Sequence, residues 1–75
     1  MKTPEQIVDS ILSLGSPRSA EYRRGMIDVL HYRLNGKRIE CSYREGTPQC
    51  DAYFAGNCRG HEVWRDTVVE VAAAS

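Results

Sequence analysis

The sequence has no apolar run approaching the roughly 20 residues that a bilayer span requires. Its apolar runs reach only four residues, as in the weak tail Val71 to Ala74, so no membrane-spanning role is expected. It has no net charge, because ten basic and ten acidic residues cancel. A neutral chain lacks the accumulated positive charge on which non-specific phosphate binding depends. Aromatic residues are scarce at 8%, with a single tryptophan. The cysteines are three, Cys41, Cys50 and Cys58, an odd count that fits a closed disulfide framework poorly. There is no phosphate-binding glycine loop and no acidic metal cluster. The segment Met1-Lys2-Thr3-Pro4-Glu5-Gln6 lacks the basic and apolar stretches of a signal peptide. A cytoplasmic protein is therefore expected, in which free thiols act mostly as small buried hydrophobes.

What is present describes a folded chain. At 75 residues, 41% hydrophobic and 27% charged, it is too apolar for a disordered chain and long enough for one domain, burying roughly 60% of its unfolded surface. Residues 1–75 read as that single domain.

A hydroxyl residue precedes proline three times, in Thr3-Pro4, Ser16-Pro17 and Thr47-Pro48. Proline at the first helical position forfeits no hydrogen bond, and the preceding hydroxyl can cap the free amides. Gln6 completes a capping box with Thr3. Helix one is predicted from about Pro4 to Leu14, with Ile7, Val8, Ile11, Leu12 and Leu14 on its apolar face and Gly15 as its stop. Helix two is predicted from about Pro17 to Leu34, ended by Asn35-Gly36. Its stripe is Tyr22, Met26, Val29, Leu30 and Leu34, widened by Ile27. Helix three is predicted from Pro48 to about residue 72, because Cys50, Tyr53, Phe54, Cys58, His61, Trp64, Val68 and Val71 recur at spacings of three and four. In the intervening loop, residues 35–46, Ile39, Cys41 and Tyr43 alternate with Arg38, Glu40, Ser42 and Arg44, as in an extended segment lying on the core. The expected fold is all-α, a small three-helix domain in which helix three is the central strut and Trp64 and Phe54 are largely buried.

Glycine within a helix costs about 1 kcal/mol relative to alanine, yet Gly25 falls in helix two and Gly56 and Gly60 in helix three. They read as tolerated weak points, as close-approach points between helices, or, for Gly60, as a break. The pattern Tyr-x-x-Gly occurs in both helices, at Tyr22–Gly25 and Tyr53–Gly56, which favours close approach.

Charge is segregated. Residues 18–44 hold seven basic side chains against Glu21, Asp28 and Glu40, and the rest of the chain carries the opposite excess. Arg23, Arg24, Arg33, Lys37, Arg38 and Arg44 then form either a solvated surface or a basic face suited to phosphates or an acidic protein surface. Zinc has four candidate ligands, Cys41, Cys50, Cys58 and His61, with Cys58 and His61 one turn apart. The eight residues between Cys41 and Cys50 are not a common ligand spacing, and no metal or other cofactor is expected. A Cys58–His61 nucleophile has no orienting third group in view, and His31 is expected on the solvent side of helix two. No catalytic residues are assigned.

Tyr22-Arg23-Arg24-Gly25, Gly36-Lys37, Glu40-Cys41-Ser42-Tyr43 and Tyr53-Phe54-Ala55-Gly56, in that order, resemble the ribosome modulation factor family of small bacterial proteins. That family carries an Arg-Gly step, a glycine-basic turn, a Cys-Pro-Tyr segment and an aromatic-x-x-Gly step. The resemblance spans Tyr22 to Trp64. It implies a helix pair joined by a basic loop and association with the ribosome, although Ser42 stands where the family has proline, the loops are longer, and those proteins are strongly basic. The chain also looks like small proteins of temperate phages and prophages, which often inhibit or adapt one host protein.

Two functions are therefore expected in competition. One is a non-enzymatic module binding a host protein, and the other is a ribosome- or RNA-associated factor. The partner surface is placed at Arg33, Lys37, Arg38, Tyr43 and Arg44, because loops on a rigid scaffold carry binding and arginine and tyrosine are enriched at hot spots. The acidic end of helix three, Glu62, Asp66 and Glu70, is the alternative. A homodimer is expected to cover Ile7, Ile11, Leu14, Val68 and Val71.

Overall fold

The computed structural model describes residues 3–13, 15 and 18–74, with side chains described up to Thr67. Three helices follow one another, α1 (Pro4–Ser13), α2 (Ala20–Asn35) and α3 (Pro48–Ala74), and the all-α expectation holds. Among the described residues there is no strand, and no helix is long and apolar enough to cross a membrane.

α1 starts where its capping box dictates. The Thr3 amide donates to Gln6 Oε1 at 2.9 Å and the Gln6 amide to Thr3 Oγ1 at 3.2 Å. At the start of α3 the Cys50 amide donates to Thr47 Oγ1 at 3.2 Å, and that hydroxyl donates onward to the Arg44 carbonyl at 2.6 Å. α2 departs from expectation. It begins at Ala20, capped by Ser19, whose side chain accepts from the Tyr22 amide; the start predicted at Ser16-Pro17 and the predicted end residue Leu14 of α1 lie outside the described residues. Ser19 suits an N-cap because its extended backbone leaves the oxygen facing the first free amides. The other end of α2 matches the Asn35-Gly36 signal. Gly36 adopts φ 71°, and its amide bonds the Tyr32 carbonyl at 2.9 Å, a left-handed cap that glycine enters without steric cost.

α2 is the central element: α3 packs along it and α1 packs against it over a shorter stretch, and among the described residues the backbones of α1 and α3 do not meet. The expectation that α3 is the strut is corrected accordingly. Val8 of α1, Met26, Ile27 and Leu30 of α2 and Val63 of α3 form the buried core. Ile7, Ile11, Leu12, Tyr22 and Trp64 close around it half-buried. Polar pairs dock α1 as well. Arg23 binds Asp9 through two nitrogens, at 2.8 and 3.3 Å, and His31 Nε2 meets Glu5 at 2.9 Å. His31 is thus half-buried against α1 rather than on the solvent side.

The glycines are contact points. A Cβ on Gly25 would strike the Tyr53 carbonyl oxygen, and one on Gly56 would strike that of Tyr22. A Cβ on Gly60 would meet Val29 Cβ at 2.9 Å and the Met26 carbonyl at 3.1 Å. The backbones of α2 and α3 therefore approach more closely than any side chain allows, and α3 runs unbroken through Gly60. This crossing turns Tyr53 inward to 1% exposure and leaves Phe54 outward at 51%. The predicted burial of Phe54 is corrected, and Trp64 is half-buried rather than central. Leu34, placed on the apolar stripe, is exposed.

Candidate functional site

The site is built where α2 ends and the chain returns to α3. Residues 36–44 carry no helix. Ile39, Cys41 and Tyr43 are half-buried while Arg38, Glu40, Ser42 and Arg44 are exposed. Tyr53 of α3 stands beneath this loop. Its hydroxyl lies 2.6 Å from Asp28 Oδ2 of α2 and 3.1 Å from the Glu40 carbonyl, so one phenol joins two helices and the loop. Burial first, and the Asp28 carboxylate second, push the Tyr53 hydroxyl well above the ordinary tyrosine range, and it remains a protonated donor. Asp28 also receives Arg24, one helical turn away, with Nε at 3.2 Å from Oδ1. The Tyr43 ring packs on Tyr53 with centroids 5.8 Å apart.

Above this clamp lies an open cleft of about 320 Å³ lined by Arg24, Asp28, Lys37, Arg38, Glu40, Cys41 and Ser42. Three cations and two carboxylates share it. Arg24 is engaged by Asp28, and Arg38 stands 3.9 Å from Glu40 with both side chains largely in solvent. An exposed pair at that distance contributes little and leaves the guanidinium available. Among the described residues Lys37 forms no ion pair. The arrangement can receive an anionic or carboxylate-bearing group beside a fixed acid–phenol pair.

The five residues predicted for the partner surface are divided. Lys37 and Arg38 line the cleft. Tyr43 turns its ring onto Tyr53 and supports the loop from below. Arg44 is exposed next to the start of α3, outside the cleft. Arg33 points toward α3, where its nitrogens reach His61 Nδ1 at 3.1 and 3.3 Å and its guanidinium lies over the Tyr32 ring. Burial, then the charges of Arg33 and Arg65, hold His61 below the ordinary histidine range, which keeps it a neutral acceptor for Arg33. The six-residue basic face is likewise broken up, since Arg23 and Arg24 face carboxylates. Of the alternative acidic end, Glu62 is held by Arg59 at 3.0 Å and the Glu70 side chain lies outside the described residues.

Sequence reasoning missed Asp28 and Tyr53 as parts of the site. Both left a signal. Asp28 follows Arg24 by four residues, the spacing of a helical ion pair, and a tyrosine on an apolar stripe requires a partner for its hydroxyl.

The cysteines distribute differently from a zinc set. Cys41 and Cys50 lie with sulfurs 3.6 Å apart, whereas Cys58 is exposed, which also corrects the expectation that it is a buried hydrophobe. Among the described residues no three His, Cys, Asp or Glu side chains are grouped to hold a metal ion.

No family model, no curated protein and no solved structure matches this chain, so its own residues carry the functional argument.

Proposed function

We propose that the chain is a small non-enzymatic binding module, a cytoplasmic effector or inhibitor of phage or prophage type, that docks a host protein through the loop between α2 and α3. The observation that carries this reading is the cleft. Lys37 and Arg38 line it exposed beside the paired Arg24 and Asp28, and Tyr53 ties Asp28 to the loop. Exposed cations beside a cleft can engage a carboxylate-bearing protein segment through charge-assisted hydrogen bonds.

A second reading, a ribosome- or RNA-associated factor, draws on the exposed Lys37, Arg38 and Arg44 and on the resemblance quoted above. Salt separates the two. Phosphate contacts should weaken steeply with rising salt, and a protein interface with an apolar centre should weaken less.

The test is capture from a bacterial lysate with and without nuclease, using wild type, Lys37→Glu/Arg38→Glu, and Arg59→Glu on α3 as a charge control. One band that survives nuclease, persists with Arg59→Glu and disappears with the double reversal supports the protein-binding reading. Capture that nuclease abolishes favours RNA, and capture that survives the double reversal moves the interface elsewhere.

The homodimer remains part of the proposal on altered grounds. Ile7 and Ile11 pack on the core, and Leu14 and the side chains of Val68 and Val71 lie outside the described residues. The apolar surface in view is Phe54, Tyr32 and Leu34. Light scattering that gives a monomer mass at high concentration would remove the dimer.

A further inference from the structure

Cys41 and Cys50 come from different elements, the loop and the first turn of α3, and their sulfurs lie 3.6 Å apart. A disulfide places its sulfurs about 2.05 Å apart, so a closure of about 1.5 Å would join them. The loop is the element able to supply it. Among the described residues no backbone hydrogen bond ties residues 37–46 to a helix, and the loop is held by side-chain contacts from Tyr53 and Thr47.

Access to the two thiols is unequal. Cys41 is half-buried and lines the open cleft, while Cys50 is 4% exposed. Burial, followed by the neighbouring Cys41 thiol, pushes the Cys50 thiol up. Cys58 cannot take part with Cys50, because eight residues along one helix separate them by about 12 Å.

We propose that Cys41 and Cys50 form a redox modification site, in which a low-molecular-weight disulfide oxidises Cys41 and Cys50 then resolves it into a bond that staples the loop to α3. Cys41, as thiolate, attacks one sulfur of a disulfide such as oxidised glutathione. This forms a mixed disulfide and expels one glutathione thiolate, which takes up the proton Cys41 gave to solvent. Cys50 loses its proton, attacks the Cys41 sulfur and expels the second glutathione, which is protonated in turn. Two protein thiols are oxidised by two electrons, and one glutathione disulfide is reduced to two thiols. Excess reductant reverses both steps.

The test uses the folded full chain carrying Cys58→Ser, treated with oxidised glutathione and read by intact mass and peptide mapping. The expected product has lost two hydrogens, carries a Cys41–Cys50 linked peptide and retains no glutathione. Adding Cys50→Ser should trap one glutathione on Cys41, and adding Cys41→Ser should leave Cys50 unmodified. Amide exchange across residues 37–44 should slow in the oxidised protein and recover with dithiothreitol. Glutathione retained on both cysteines without a link, or a reaction that starts at Cys50, would overturn the site. A linked product whose loop exchanges at the reduced rate would overturn the staple.

Discussion

Gly25 and Gly56 occupy each other's space. A Cβ on either would strike the carbonyl of the tyrosine three residues before the other, and a Cβ on Gly56 would also lie 3.2 Å from the Cα of Gly25. The two Tyr-x-x-Gly patterns are the two halves of one helix crossing. At such crossings the hydrogen in place of a side chain can point at the opposing carbonyl oxygen, a weak contact that recurs where helix backbones meet.

Alanine at either glycine must therefore push backbone against backbone, which no rotamer change relieves. Gly25→Ala and Gly56→Ala should each cost about 1–3 kcal/mol despite alanine's better helix propensity. Gly15→Ala meets nothing within 4 Å and should fall within about 0.5 kcal/mol of wild type. Urea unfolding followed by circular dichroism measures all three. A neutral Gly56→Ala would show that α2 and α3 do not cross here.

Adjacent aromatic residues should respond in opposite ways. Tyr53→Phe keeps the ring but removes the donor shared by Asp28 and Glu40, and should cost about 2 kcal/mol, as for a bond to a charged acceptor. Phe54→Ala, on the exposed side, should cost less than about 1 kcal/mol. The ranking of the two melting temperatures reads the orientation of α3 directly.

Acid should loosen α1 before the rest. The His31 contact holds the Glu5 carboxyl below its ordinary value of 4.5, and Arg23 does the same for Asp9 below 3.8. A carboxyl depressed in the folded state stabilises fully above its ordinary value, and the contribution is lost as pH falls through the lowered one. Amide protection factors in α1, taken relative to the intrinsic exchange rate at each pH, should therefore fall as pH drops below about 4.5. Glu5→Gln should be less protected at neutral pH and show a shallower acid limb. An acid limb that overlays wild type would mean that the His31 pair contributes nothing to docking.

The choice of cap for α2 is equally open to measurement. Ser19→Ala removes the acceptor for the Tyr22 amide and should cost about 1 kcal/mol. Thermal unfolding unchanged by this substitution would return the helix start to the earlier Ser-Pro step.

The sequence by itself determined the features that depend on neighbours along the chain. The Thr3–Gln6 box, the Thr47 cap and the Gly36 stop need only residues within four positions, and the loop's alternation of half-buried and exposed residues follows from its period of two. Tertiary structure decided the features that depend on how helices are rotated about their axes. A stripe containing both Tyr53 and Phe54 allows α3 either orientation. Close approach through Gly56 and Gly60 selects the one in which Tyr53 and Val63 face α2 and Phe54 does not. The same rotation carries Tyr53 beneath the loop, where its hydroxyl meets Asp28 and the Glu40 carbonyl beside the cleft. Only the crossing brings Tyr53 and Asp28, 25 positions apart, together. The Tyr-x-x-Gly pattern marks in each helix where a close approach is possible, but the pairing of Gly25 with Gly56 across the crossing is decided only when the two helices meet.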